Sequence, residues 1–186
     1  TGGPGSPKQP GSPDEQYRHR HLRCGLEIQN YDRDDQDGTL QSGFMRVGTL
    51  GCFVRLLSGD DAFVSNNHVV AGTNVANVGD RILQPSSNIF SAGDFVGTLS
   101  DFVPLKFSAL GATPQAGNAV YNEVDAGVVK LDDSVGYLQE FLAHHGLPTI
   151  TGLATPDLDD AVFKVGRSTG LRRGKITNVS TVVGPV

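Results

Sequence analysis

A histidine and an aspartate in this sequence stand where proton-transfer chemistry could use them. His68 occurs in SNNHVVAG, where a strand-like run from Ala62 meets two asparagines and then the histidine. Asp125 occurs in VDAGVVKL, directly before an apolar, β-like run. A histidine at a strand end can act as a general base, and a partly buried carboxylate needs a partner such as a histidine ring N–H. Each residue alone also fits a structural role, His68 as a hydrogen-bonded turn histidine and Asp125 as a turn cap.

A candidate nucleophile follows both residues in the chain. The motif GRSTG, residues 166–170, contains Ser168 in the G-x-S-x-G pattern of a hydrolase nucleophile elbow. An elbow serine requires a strand-to-helix turn, whereas a strand-like run follows residues 171–174. The sequence therefore predicts a strand and a turn here, and no nucleophile. Ser65 lies too near His68 in its strand to approach the ring.

The elements that must position these residues are short strands. GTLGCFVRLL, SGDD and AFVSN predict a strand, a turn and a second strand, which together form a hairpin. Further strand-like runs, rich in Val, Ile, Thr and Phe, are RCGLEIQN, GDRILQP, DFVGTLSDFVPL, EVDAGVVKL, VFKVG and GKITNVSTVV. Helix is predicted only for a turn after His68 and for YLQEFLAHH near residue 140. Short strands at near-regular spacing indicate an all-β barrel or sandwich.

The order of these motifs resembles that of a known family. SNNHVVAG followed by VDAGVVKL resembles the chymotrypsin-like (trypsin-fold) serine peptidases, and KVGRSTGLRRGKITNVS resembles early second-barrel strands of bacterial members. The resemblance covers residues 43–186. It implies a trypsin-like double β-barrel with the active-site cleft between the barrels. It also implies that His68 is the general base and acid, and that Asp125 orients it.

The sequence departs from this family at the nucleophile. The family's catalytic serine sits in Gly-Asp-Ser-Gly, which does not occur here. We therefore expect a complete first barrel, a second barrel only partly present, and the serine in a following segment or in a separate chain cleaved after Val186. The expected organisation is a flexible Gly/Pro/Ser-rich tail at 1–20, an N-terminal β-barrel carrying both site residues at 21–135, and a linker with opening strands of the C-terminal barrel at 136–186.

The function that the resemblance implies is a serine endopeptidase acting through an acyl-enzyme. Its partners would be protein or peptide substrates and a C-terminal fragment that completes the second barrel. Two alternatives stay open: a catalytically inactive pseudo-peptidase with the same fold, and a β-rich protein-binding module in which His68 and Asp125 are structural.

Composition argues against several other classes. A net charge of −5 and a pI near 5.4 give no basic footprint for nucleic acid. No apolar run approaches the roughly 18 residues that a membrane span needs. Cys24 and Cys52 are too few for a disulfide framework, and reduced thiols favour a cytoplasmic location over secretion.

No cofactor or metal is expected from the sequence. His144 and His145 fit the end of a helix, where a cationic ring is favourable. A ligand role for His19, His21 or Cys24 is disfavoured because these residues lie beside the flexible tail.

Overall fold

Antiparallel strands dominate the protein in a computed structural model, which describes residues 13–32, 47–87, 90–107 and 122–179. The strands are β1 (Glu27–Asn30), β2 (Val47–Thr49), β3 (Cys52–Arg55), β4 (Asp61–Ser65), β5 (Arg81–Leu83), β6 (Phe95–Phe102), β7 (Gly127–Leu131), β8 (Ala161–Gly166) and β9 (Gly170–Lys175). The helical elements are α1 (Asn67–Val70) and two 3₁₀ helices, Asp14–Gln16 and Ala143–His145. The predicted all-β class is confirmed.

Seven strands form one curled sheet in the order β2-β1-β5-β6-β7-β4-β3. Its edge strands, β2 and β3, are separated in the chain only by Leu50 and Gly51. The Leu50 N–H donates to the Leu26 carbonyl (2.8 Å) beside β1, and the Gly51 N–H donates to the Val64 carbonyl (2.9 Å) in β4. Consecutive residues thus bond to opposite ends of the sheet. The continuous run 47–55 therefore joins the two edges.

The core lies inside this curl. Along β7, GVVKL alternates buried and half-buried residues, as expected for a strand with one face on a core. The predicted hairpin is confirmed, because β3 and β4 pair antiparallel and place Phe53 opposite Phe63. Phe53 also stacks on Tyr137 with ring centroids 4.4 Å apart. The largest fully buried apolar side chains are Leu22, Leu26, Ile28, Leu50, Phe63, Ile82, Leu83 and Leu99.

The motif GRSTG forms the turn of a second, two-stranded sheet. β8 and β9 pair antiparallel, and Gly166 opposite Gly170 is the pair nearest the turn. Gly170 has φ +55°, a left-handed conformation that glycine adopts without a Cβ penalty. The predicted turn and the strand VFKVG before it are confirmed, whereas the strand predicted for GKITNVSTVV lies earlier in the chain, because β9 begins at Gly170 and ends at Lys175. Ser168 therefore lies between two antiparallel strands, and not in a strand-to-helix elbow.

The tip of this hairpin is bound to the edge of the large sheet. Arg167 Nε donates to the carboxylate of Glu27 over 2.7 Å, and the Glu27 side chain is fully buried. The Arg167 N–H donates to Thr49 Oγ1 (3.2 Å), and Gln16 Nε2 donates to the Arg167 carbonyl (2.9 Å). One arginine of the motif thus connects β8–β9 to β1, to β2 and to the N-terminal 3₁₀ helix.

The helix predicted for YLQEFLAHH is wrong apart from the single 3₁₀ turn Ala143–His145. The Leu22 N–H donates to the Gly136 carbonyl, and the Leu138 N–H donates to the Leu22 carbonyl, each over 2.9 Å. These bonds hold the chain beside Leu22 in an extended form. Tertiary pairing has overridden the weak helical preference of a short segment.

The flexible tail predicted at 1–20 falls outside the described residues over 1–12. Over 13–20 the prediction is wrong, because the chain makes specific long-range contacts. Glu15 is 2% exposed. Arg18 Nη2 donates to the Gly93 carbonyl and Arg20 Nη1 donates to Gln84 Oε1, each over 2.7 Å. These partners are distant in sequence, so composition could not indicate them.

Two further features bear on the expectations above. No helix within the described ranges is long and apolar enough to cross a bilayer. Cys24 and Cys52 are both free thiols. The boundaries proposed at residues 21–135 and 136–186 stay a prediction.

Candidate functional site

The register of two neighbouring strands brings His68 and Asp125 together. β4 and β7 are antiparallel, and Ser65 at the end of β4 faces Gly127 at the start of β7. The chain that leaves β4 and the chain that enters β7 therefore meet at one end of the sheet. His68 follows Ser65 within α1, and Asp125 precedes Gly127. Residues 57 positions apart in sequence become neighbours for this reason.

Asp125 binds both the ring and the backbone of His68. The distance from His68 Nδ1 to Asp125 Oδ2 is 2.5 Å, and the His68 backbone N–H donates to Asp125 Oδ1 over 3.2 Å. Asn66 Nδ2 donates to the Asp125 carbonyl oxygen over 3.1 Å. Because a carboxylate only accepts, Nδ1 carries the ring proton in this contact. The neutral ring then presents its lone pair at Nε2.

The pair is open to solvent. The His68 side chain is 57% exposed and the Asp125 side chain 33% exposed. Among the described residues, no hydrogen-bond partner occupies His68 Nε2. An ion pair this exposed adds only about 0–1 kcal/mol to stability. Stability therefore does not explain why one carboxylate holds both the ring and the backbone of His68.

Close packing of α1 holds the histidine in place. Val69 and Val70 are buried, and each faces a glycine of a neighbouring strand. A Cβ built on Gly48 in β2 would lie 2.6 Å from Val69 Cγ1, and one on Gly127 would lie 2.6 Å from Val70 Cγ2. Neither position accepts a larger residue unless the helix moves. The absence of a Cβ at these two glycines therefore lets α1, which carries His68, pack closely against β2 and β7.

Buried asparagines, to which the sequence alone assigns no role, also position the helix. Asn67 is fully buried, and its Nδ2 donates to Asn74 Oδ1 and to the Val103 carbonyl, each over 2.8 Å. At the other end of α1, Asn30 Nδ2 donates to the Val70 carbonyl over 2.7 Å. The asparagine pair before His68 was a visible signal for Asn67. Asn30 and Asn74 had none, since their partners lie far along the chain.

The serines that the sequence suggested do not bond to His68. Ser65 Oγ donates to the Thr49 carbonyl over 2.8 Å, and Ser168 Oγ accepts from Arg167 Nη1 over 3.1 Å. In the ranges that the structure describes, no serine hydroxyl hydrogen-bonds to the His68 ring. The structure thus brings His68 and Asp125 together, while Ser168 belongs to the hairpin turn.

Cys24 does not provide an alternative nucleophile. Burial, together with the neighbouring Cys52, raises the pKa of the Cys24 thiol to about 12. The thiolate is the reactive form of cysteine, so Cys24 stays protonated and inert near neutral pH.

The chemistry available to the site follows from its orientation. An imidazole held at Nδ1 by a carboxylate can take a proton at Nε2, and the carboxylate then stabilises the imidazolium. The same ring can return the proton to a leaving group. The sequence matches neither a protein-family model nor a curated protein.

Proposed function

We propose that this chain carries the His–Asp pair of a trypsin-like serine endopeptidase. His68 is the general base and acid, and Asp125 is the residue that orients it. The observation that carries this proposal is that the Asp125 carboxylate hydrogen-bonds to both Nδ1 and the backbone N–H of His68. A carboxylate at Nδ1 selects the tautomer that a triad needs.

The arrangement of strands supports the fold that the proposal requires. When the run β2–β3 is counted as one strand, the curled sheet has six strands, and each pair of neighbours is antiparallel. In the proposed double β-barrel this sheet is the first barrel. The hairpin β8–β9 opens the second barrel. Its exposed apolar side chains, Val162 and Phe163, would pack against the strands that complete it.

The reaction is peptide-bond hydrolysis in two steps. A serine Oγ attacks the carbonyl carbon of the substrate while His68 Nε2 takes the hydroxyl proton. The C–N bond then breaks, and the proton passes from His68 to the leaving amine. Water hydrolyses the acyl ester with His68 again as base, which restores the serine. The serine belongs to the segment that completes the second barrel, and the chemistry requires no metal or organic cofactor.

One observation favours a second candidate function. Because no described serine hydroxyl bonds to His68, the same fold could serve as an inactive pseudo-peptidase or as a β-rich protein-binding module. These candidates differ from the endopeptidase in having no reactive serine. Covalent labelling of a reactive serine therefore distinguishes them.

A fluorophosphonate probe tests the proposal on the protein as its native source makes it. Such probes form a covalent bond with a serine only when a neighbouring base activates it. We expect one labelled serine, located by peptide mapping, and loss of labelling in His68→Ala. His144→Ala is the matched control, since this side chain is 49% exposed and lies outside the pair.

The outcomes separate the candidates. Labelling that depends on His68 but not on His144 supports the endopeptidase. Wild-type protein that stays unlabelled, or labelling that His68→Ala leaves unchanged, overturns it and favours the binding module. A label mapped to Ser168 would overturn the location of the nucleophile.

A further inference from the structure

Three potential metal ligands from distant parts of the chain meet on the side of the fold where the N-terminal 3₁₀ helix packs. Glu15 lies in the 3₁₀ helix Asp14–Gln16, and His144 and His145 lie in the 3₁₀ helix Ala143–His145. One ligand atom from each residue lies within 4.8 Å of the other two. Glu15 and His145 are 130 positions apart in sequence. This cluster, called the Glu15 cluster below, is separate from His68 and Asp125.

Two of the three side chains in the Glu15 cluster are buried, which distinguishes the cluster from a surface ion pair. The Glu15 side chain is 2% exposed and the His145 side chain 7% exposed, and Oε1 lies 2.6 Å from Nε2. A buried carboxylate requires a cation or several hydrogen bonds to offset its desolvation. The structure places two imidazoles against it, within reach of a single ion.

The two imidazoles lie close enough together to bind one cation. The ring centroids of His144 and His145 are 4.0 Å apart. Each ring offers one nitrogen to the set of three ligand atoms that lie within 4.8 Å of one another. A single divalent ion could therefore contact the carboxylate and both rings.

A second carboxylate stands next to the cluster. Asp14 Oδ2 lies 3.6 Å from His144 Nδ1. Histidines that bind metals commonly have their other ring nitrogen beside a carboxylate, which fixes the tautomer and the ring plane. Asp14 is 64% exposed and His144 is 49% exposed, so an ion can enter from this side.

We propose that Glu15, His144 and His145 bind one Zn²⁺ ion, with a fourth position open to water. Two histidines and one glutamate form a known three-ligand set for zinc, and imidazole nitrogen suits this metal well. Ligand distances of about 2.0–2.2 Å would require the Glu15 and His145 atoms to separate slightly from hydrogen-bond contact.

The bound ion would fasten the N-terminal segment to the chain that leads into β8. From the sequence no metal is expected, because His144 and His145 alone fit a helix end. Glu15, the ligand that completes the set, is contributed by a segment whose composition predicts a tail. Only the packing of residues 13–20 onto the fold reveals it.

Zn²⁺ titration by calorimetry of the full chain, stripped beforehand with a chelator, tests this proposal. We expect one saturable site, and we expect His144→Ala to weaken the affinity by at least about a hundredfold, since second-sphere changes alone cost about 10–100-fold. Because the His144 side chain is half exposed, its removal should leave the fold intact. Glu15→Gln keeps the side-chain shape and should weaken binding as well.

A matched control and a second measurement decide the outcome. His68→Ala removes the other exposed imidazole beside a carboxylate and should bind Zn²⁺ as tightly as wild type. Co²⁺ added to the stripped chain should give tetrahedral d–d absorption bands that His144→Ala abolishes. The proposal is overturned if Zn²⁺ shows no saturable binding, if His144→Ala and Glu15→Gln bind it unchanged, or if His68→Ala removes the site.

Discussion

Replacement of Asp125 by asparagine tests whether the His68–Asp125 pair has a catalytic role or only a structural one. Asp125 accepts the His68 backbone N–H at Oδ1 and the ring Nδ1–H at Oδ2. Asparagine keeps the shape but offers only one side-chain acceptor. If its oxygen keeps the bond to the backbone N–H, its NH₂ group faces Nδ1. The His68 ring then has its lone pair at Nδ1 and carries its proton at Nε2. In this tautomer Nε2 cannot act as a base.

The expected magnitudes differ widely between stability and reactivity. His68 is 57% exposed and Asp125 33% exposed, so the free energy of unfolding should fall by no more than about 1 kcal/mol. A histidine in the wrong tautomer should slow the acylation step on the order of 10⁴-fold. This factor corresponds to about 5 kcal/mol in activation free energy. If the His68–Asp125 pair has only a structural role, the substitution should lower the unfolding free energy without a comparable loss of reactivity.

Three measurements on wild type and Asp125→Asn test these expectations. Urea denaturation gives the change in unfolding free energy, and ¹⁵N NMR of the His68 ring gives the tautomer. The rate of fluorophosphonate labelling in the native protein gives the reactivity. Asp133→Asn is the matched control, since Asp133 is exposed and follows the other end of β7. A tautomer that stays the same, or a labelling rate that falls less than about tenfold, would refute the reasoning.

Two further predictions concern packing and thiol reactivity. Gly127→Ala places a Cβ 2.6 Å from a Val70 methyl, so α1 must shift. We expect the free energy of unfolding in urea to fall by about 1–3 kcal/mol and fluorophosphonate labelling to slow. Gly152→Ala is the control and should change neither quantity, because a Cβ on Gly152 has nothing within 4 Å. Because burial raises the Cys24 pKa to about 12, iodoacetamide at pH 8 should leave this thiol unmodified until urea unfolds the chain; modification in the folded state at the rate of a free thiol would contradict this.

Local pattern was sufficient to predict several elements. The SGDD turn between two apolar runs predicted the β3–β4 hairpin, because polar turn residues between alternating strands leave few other conformations. The turn at GRSTG was predicted because a strand-like run, and not a helix, follows this glycine-containing motif. His68 and Asp125 were recognised from their residue types and from their places next to β-like runs. Their distance of 2.5 Å depended on strand register, which neither local segment contains.

Long-range pairing decided what the local pattern left open or indicated wrongly. YLQEFLAHH lost its predicted helix because the backbone around Leu22 offered it partners. The two edges of the sheet meet at Leu50 and Gly51 only because the sheet curls. The sequence by itself determined strand content, turns and the residue types available for chemistry, since these follow from side-chain periodicity and backbone preference. Only the tertiary structure decided which carboxylate faces which imidazole at His68 and at Glu15, because such contacts depend on where chain segments far apart in sequence are packed.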